Sequence, residues 1–317
     1  MTLLEEILKA EKRIRSSIKE TKLEYSPILS EMGNCEVYLK LENQQETGSF
    51  KIRGALNSLI SYNTDKDVFE FVTASSGNHG AAFAYGIAKL GLKGTIFLPK
   101  KASPVKVKAL QEKKVKIILY GDDCVQTEIF ARSYAEKRNL TYISPYNDLL
   151  VVAGQGTIGV ELERQVGEPN YILVPVGGGG LISGIGGYLK SKSKTIKIIG
   201  SQPINSPVMY ESIKAGKIVV YDSLPTLSDG TAGGLESDSI TFEYCKDFVD
   251  DYILVSEDEI RNALRFLYNE HRMIVEGAAA LTIAAFIQKI KIFQESKVVL
   301  LISGSSIDEK EFQDIIA

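Results

Sequence analysis

The sequence predicts an α/β protein built on parallel sheets, and three observations carry that prediction. Strand-like runs rich in Val and Ile alternate with helical patterns of ~10–15 residues through most of the 317 residues, as in βαβ units. The runs read as strands covered on both faces by those helices. Three of them end in clusters of Gly, Ser and Asn, at the carboxyl edge where open α/β sheets hold ligands.

Taken in order, "MTLLEEILKAEKRIRSS" is charged throughout and predicts an amphipathic helix, not a signal peptide. Strands are expected at "CEVYLKLE" (35–42), "FEFVTA" (69–74), "GTIFLP" (94–99) and "VKIILYG" (115–121). Further strands are expected at "YILVPV" (171–176), the "IKIIGSQ" run ending at Gln202, "DYILVS" (251–256) and "KVVLLISG" (297–304). Helices are expected at "HGAAFAYGIAKLG" (79–91), "PVKVKALQEKK" (104–114) and "DEIRNALRFLYNEH" (258–271).

The length suggests about two domains at roughly 150 residues each. With 44% apolar and 24% charged residues, the composition is that of a soluble globular protein. A formal net charge of −3 gives no electrostatic reason to expect nucleic acid or a membrane surface. No apolar run approaches the ~20 residues of a transmembrane helix. Cys35, Cys124 and Cys245 lack CxxC or Cys/His spacing, which argues against a disulfide framework or zinc and for a reducing cytoplasm.

The three polar junctions carry the chemistry. In "YILVPVGGGGLISGIGGYLK" a buried strand runs through Gly177, Gly178, Gly179 and Gly180 into a helix. Backbone N–H groups converging there, with the helix N-terminus behind them, suit a phosphate. The run does not match GxxxxGK[ST], and it lacks the acidic partner of a dinucleotide fold. In "FVTASSGNHGAAFAYG", Ser75, Ser76, Gly77 and Asn78 present donors at a helix start, either as a cap or as a carboxylate site. His79 there reads first as a structural hydrogen-bonder, and His271 as a surface residue. The third junction, in "VVLLISGSSID", ends in Ser303-Gly304-Ser305-Ser306. Between Phe50 and Ile52 stands Lys51, an amine in an apolar setting where a snorkelling or ion-paired residue is the ordinary alternative.

In order and spacing, "TGSFKIRGA", "SSGNHG", "AGQGTI", "VPVGGGG" and "LISGSS" resemble the fold-type-II (tryptophan synthase β-like) pyridoxal-phosphate enzymes. They are most like the threonine/serine dehydratase and serine racemase group. The stretch from Gln202 to Gly234 resembles dehydratases of hydroxyectoine utilisation.

The resemblance implies two domains, each a mostly parallel twisted sheet covered by helices. Residues 48–145 form a small domain inserted into a large one made of 1–47 and 146–317. It also implies a homodimer, pyridoxal 5'-phosphate as cofactor and a small amino-acid substrate, while this chain's own departures at Gln202 and Val208 point to no metal.

Lys51 corresponds to the lysine that forms the Schiff base and acts as general base. Phe50 packs beside the ring, Asn78 bonds its 3-hydroxyl oxygen, and Ser303 faces the pyridine nitrogen. Gly177 to Gly180, with Leu181, hold the phosphate, while Gly230 and Glu276 line the cofactor's edge. The Ser75–His79 loop takes the substrate carboxylate. Ser76 matches the serine that protonates the opposite face in racemase relatives, so it leaves D-serine chemistry open. Gln202 and Val208 replace the acidic ligands of metal-binding members. The end at Ala317 predicts no isoleucine-sensing domain. The implied reaction is α,β-elimination from L-threonine or L-serine, giving a 2-oxo acid and ammonia. The alternatives are a hydroxyaspartate or hydroxyectoine-pathway lyase, a serine racemase, and a catalytically silent cofactor-binding regulator.

Overall fold

A computed structural model describes residues 2–66, 68–102, 104–122 and 124–316. Its described strands form two sheets. The larger contains β1 (Leu23–Tyr25), β2 (Glu36–Leu41), β7 (Tyr171–Pro175), β8 (Lys197–Pro203), β9 (Asp251–Val255) and β10 (Lys297–Ile302). Their spatial order is β1-β2-β10-β7-β8-β9, and every pairing except β1 with β2 is parallel. The smaller sheet contains β3 (Glu70–Ala74), β4 (Lys93–Leu98), β5 (Lys116–Leu119) and β6 (Thr141–Tyr142), in the all-parallel order β5-β4-β3-β6. All eight expected strands are present. β1 and β6, of three and two residues, are additions that carry too little periodicity to be read from sequence.

The period-2 side-chain alternation of a strand divides the core of the larger sheet into two clusters. Val298, Leu300 and Ile302 of β10 pack on one face with Ala279, Leu281 and Ile283 of helix Gly277–Gln288. Val299 and Leu301 pack on the other with Val152, Ile182 and Ile7, from helices Leu149–Val166, Gly180–Lys192 and Leu3–Ile14. The expected N-terminal helix is thus present, with its apolar stripe buried. The strand order reverses between β7 and β10, which lie side by side and parallel. Their carboxyl ends open the crevice where ligands sit in such sheets. None of the described helices is long and apolar enough to cross a membrane.

Candidate active site

Lys51 is the first residue of helix Lys51–Lys66, and the segment before it is stitched to the end of β10. The Phe50 N–H donates to the Ser303 carbonyl at 3.1 Å, and the Ser305 N–H donates to Gly48 at 2.9 Å. Ser49 and Gly304 form an antiparallel bridge. Behind Lys51, the Gly54 N–H donates to Gln155 Oε1 at 3.2 Å. A Cβ on Gly154 would lie 2.6 Å from the Arg53 carbonyl, so these two helices meet backbone to backbone.

The amine points across the crevice. Lys51 Nζ donates to the Pro145 carbonyl at 2.8 Å and lies 5.3 Å from the Phe50 ring centroid. Burial lowers its pKa to about 8, against the opposing pull of Glu276 and Glu128. The residue as a whole is only partly buried.

The glycine loop lies beyond β7. Gly179 has φ +82°, a left-handed conformation that suits glycine, and it caps helix Gly180–Lys192. A Cβ on Gly178 would enter the Tyr146 ring, so the loop and the residue after Pro145 are in direct contact. Thr241 Oγ1 fixes the loop by donating to the Gly178 carbonyl at 2.6 Å. The first N–H groups of the helix have no partner within it and remain available to an anion. Leu181 contributes only through that backbone, because its side chain belongs to the core.

The third wall joins Asn78, Glu276 and the end of β10. Asn78 Nδ2 donates to both oxygens of Glu276, at 3.0 and 2.7 Å. Burial and the charge of Asp229 raise Glu276 to about 7, opposed by the Asn78 amide, the Ser306 N–H and Lys51. A Cβ on Gly304 would enter the Glu276 carboxyl and come within 3.2 Å of Asn78 Nδ2. Gly230 stands at the same carboxyl, since a Cβ there would lie 3.9 Å from Glu276 Oε1. A Cβ on Gly177 would touch Thr231 Cα at 3.0 Å, which closes the circuit from the glycine loop to Glu276.

Ser75 to Asn78 are half-buried at the start of helix Asn78–Leu90, with Ser75 Oγ accepting from the Gly77 N–H at 3.3 Å. Gly77 faces open space. His79 is a hydrogen-bonder of the interior, in keeping with the first reading of its sequence context. Its ring is buried, with Nε2 3.1 Å from Thr73 Oγ1 and 3.4 Å from the Ile143 carbonyl. Burial and Lys51 depress it to about 3, so the neutral ring donates from Nε2. Only the His79 backbone N–H belongs to the loop. Gln202 accepts from the Tyr210 N–H at 2.8 Å, and among the described residues no His/Cys/Asp/Glu group could hold a metal.

The chain matches the model of the pyridoxal-phosphate dependent enzymes over residues 14–304. It belongs to that family. It is 37% identical to the L-threonine ammonia-lyase of Thermotoga maritima, over 100% of this chain and 78% of the relative. The processed form of threonine deaminase isoform 2 from Solanum lycopersicum superposes with a TM-score of 0.93 at 31% identity, covering 99% of this chain and 86% of that one. Serine racemase from Dictyostelium discoideum superposes at 0.89 with 34% identity, covering 97% and 99%.

Pyridoxal phosphate fits the residues present. Asn78 Oδ1 and Ser303 Oγ are buried without a partner, and polar atoms of a bound ring would satisfy such orphans. The glycine loop and helix N-terminus suit the phosphate of this pyridoxal-phosphate enzyme, and Lys51 would supply the amine. Covalent attachment of the cofactor to apoprotein requires the neutral amine, so its rate rises with pH and levels off above about 8. Stopped-flow absorbance across pH 6–9.5 tests this, and a flat profile contradicts it. Gly178→Ala displaces Tyr146 and weakens cofactor binding by about tenfold or more, read as the Kd of apoprotein titrated with pyridoxal phosphate.

No motif marks a second group that adjoins the amine through Glu128 and Pro145: Glu128, Arg132, Tyr142, Tyr146 and Glu236. Glu128 and Arg132 share helix Cys124–Lys137, whereas Tyr142, Tyr146 and Glu236 come from other parts of the chain, and the signal that unites the group is spatial.

Proposed function

We propose that this protein is a pyridoxal-phosphate-dependent ammonia-lyase that converts L-threonine and L-serine to 2-oxobutanoate and pyruvate, with release of ammonia. The observation that carries the reading is the Lys51 amine. It is desolvated to a pKa of about 8 and 2.8 Å from the Pro145 carbonyl, between the glycine loop and the Asn78–Ser303 wall. The relatives named for threonine ammonia-lyase and threonine deaminase activity support the same choice.

When bound, the cofactor supplies an electron sink for charge developing at the substrate α-carbon. Lys51 anchors the cofactor and, once released, takes the α-proton on Nζ. The Ser75–Asn78 turn and the N-terminus of helix Asn78–Leu90 orient the substrate carboxylate. Ser303 offers a hydroxyl, not a carboxylate, to the ring nitrogen. That makes a moderate sink, suited to prompt loss of a β-leaving group. Residues 48–145, which include the whole four-stranded sheet, act as one lobe against 1–47 and 146–317, which include the six-stranded one. The test is release of 2-oxo acid from L-threonine, L-serine, D-serine and 3-hydroxyaspartate by the cofactor-loaded protein. No release from any of them would refute the reading.

A further inference from the structure

We propose that Glu128 and Tyr142 form the subsite for the substrate's β-hydroxyl, in a pocket that takes a neutral side chain and rejects a second carboxylate. This rests on the ammonia-lyase reading and names the substrate class within it.

The group adjoins the amine, with Glu128 within electrostatic reach of Lys51. Pro145, which accepts from Lys51, is followed by Tyr146, whose ring packs on Gly178. Tyr146 Oη accepts from the Glu236 N–H at 2.8 Å. Glu236 in turn takes Asn147 Nδ2 at 2.7 Å and Arg132 Nη2 at 2.5 Å. Arg132 lies over the Tyr142 ring, its Cζ 4.5 Å from the centroid. At the centre, Tyr142 Oη is buried and makes no hydrogen bond. An orphaned hydroxyl in a reaction crevice is costly unless a ligand completes it.

Charge decides what that ligand is. Two carboxyls, Glu128 and Glu236, share this pocket with one guanidinium, and the guanidinium is already engaged by Glu236. A dicarboxylic substrate would meet the like charge of Glu128 and Glu236, with Arg132 already ion-paired to Glu236. Glu128 lies one helical turn before Arg132 on helix Cys124–Lys137, within electrostatic reach of Lys51 and Tyr142. Burial and Glu236 push its carboxyl up to about 7, against Arg132 and Lys51, so near neutral pH it both donates and accepts. A substrate hydroxyl can therefore donate to Glu128 while accepting from Tyr142 Oη.

The experiment uses the cofactor-loaded enzyme with two substrates that differ in the leaving group, L-serine and 3-chloro-L-alanine. Tyr142→Phe and Glu128→Gln are each expected to lower kcat/KM for L-serine at least about tenfold more than for 3-chloro-L-alanine, which has no hydroxyl to bind. Wild-type kcat/KM for 3-hydroxyaspartate is expected at least about tenfold below that for L-serine. Equal losses on the two substrates would make both residues merely structural and overturn the proposal. So would a wild-type preference for 3-hydroxyaspartate. Both outcomes leave the lyase reading standing, whereas wild-type protein inert on every substrate would remove the lyase reading and this subsite together.

Discussion

Lys51→Ala is expected to reduce 2-oxo acid release from L-serine by at least ~10⁴-fold while the protein stays folded. General-base catalysis alone is worth about 10²–10⁴-fold, and in the proposed mechanism this amine is also the covalent anchor of the cofactor. The fold should tolerate the change. The side chain gives up its hydrogen bond to the Pro145 carbonyl, and alanine is a good residue for the first position of a helix. The sign of the electrostatic effect is also favourable. The folded-state pKa lies below the ordinary lysine value, so at pH 7 the native protein holds a charged amine in a desolvating place. Removing that amine relieves a cost. A melting temperature within a few degrees of wild type, with activity lost, is the expected result. Activity retained by a well-folded Lys51→Ala protein would sink the mechanism.

The sheets and the glycine loop were legible for one physical reason: each is local. Val298 to Ile302 announce a buried strand by themselves, and Gly177 to Gly180 announce close backbone approach by themselves. Lys51, Asn78 and Ser303 gained their roles only through resemblance, because no spacing rule links positions so far apart. His79 shows the limit of reading a motif as a unit. It sits inside "SSGNHG", yet its ring turns into the core because Thr73 and the Ile143 carbonyl are there to receive it. Glu128, Tyr142 and Glu236 were invisible, since they meet only after helix Cys124–Lys137, β6 and the loop before helix Ile240–Phe248 have assembled around Tyr146. Arg53 was equally opaque. It stands two residues beyond Lys51 with no motif around it to announce its burial, yet it is fully buried.

Arg53→Met is expected to destabilise the protein by ~3–5 kcal/mol at pH 7, lowering Tm by roughly 5–15 °C. Arg53 donates to Glu42 from Nε at 2.8 Å and Nη2 at 2.7 Å, and to Glu161 from Nη1 at 2.7 Å and Nη2 at 2.9 Å. Lys40 Nζ and Arg15 Nη2 also reach Glu161, at 2.5 and 2.6 Å. Without Arg53, Glu161 keeps those two cations, while Glu42 keeps only the Thr21 hydroxyl at 2.5 Å among its described side-chain donors. The penalty therefore falls mainly on Glu42. Arg53→Met combined with Glu42→Gln should recover much of the loss.

The pH dependence separates this account from simple loss of packing. Arg53 and Lys40 hold Glu161 at about 2, below its ordinary value of 4.5, despite the burial that opposes them. Its stabilising contribution is thus fully present above about pH 4.5 and is lost as pH falls through about 2. In Arg53→Met, Glu161 loses the guanidinium that helps hold its carboxyl down and takes up a proton at higher pH, which relieves buried charge. The gap in Tm between wild type and variant should then be widest near pH 7 and narrower near pH 4. A gap independent of pH would show that Arg53 acts through packing and not through charge.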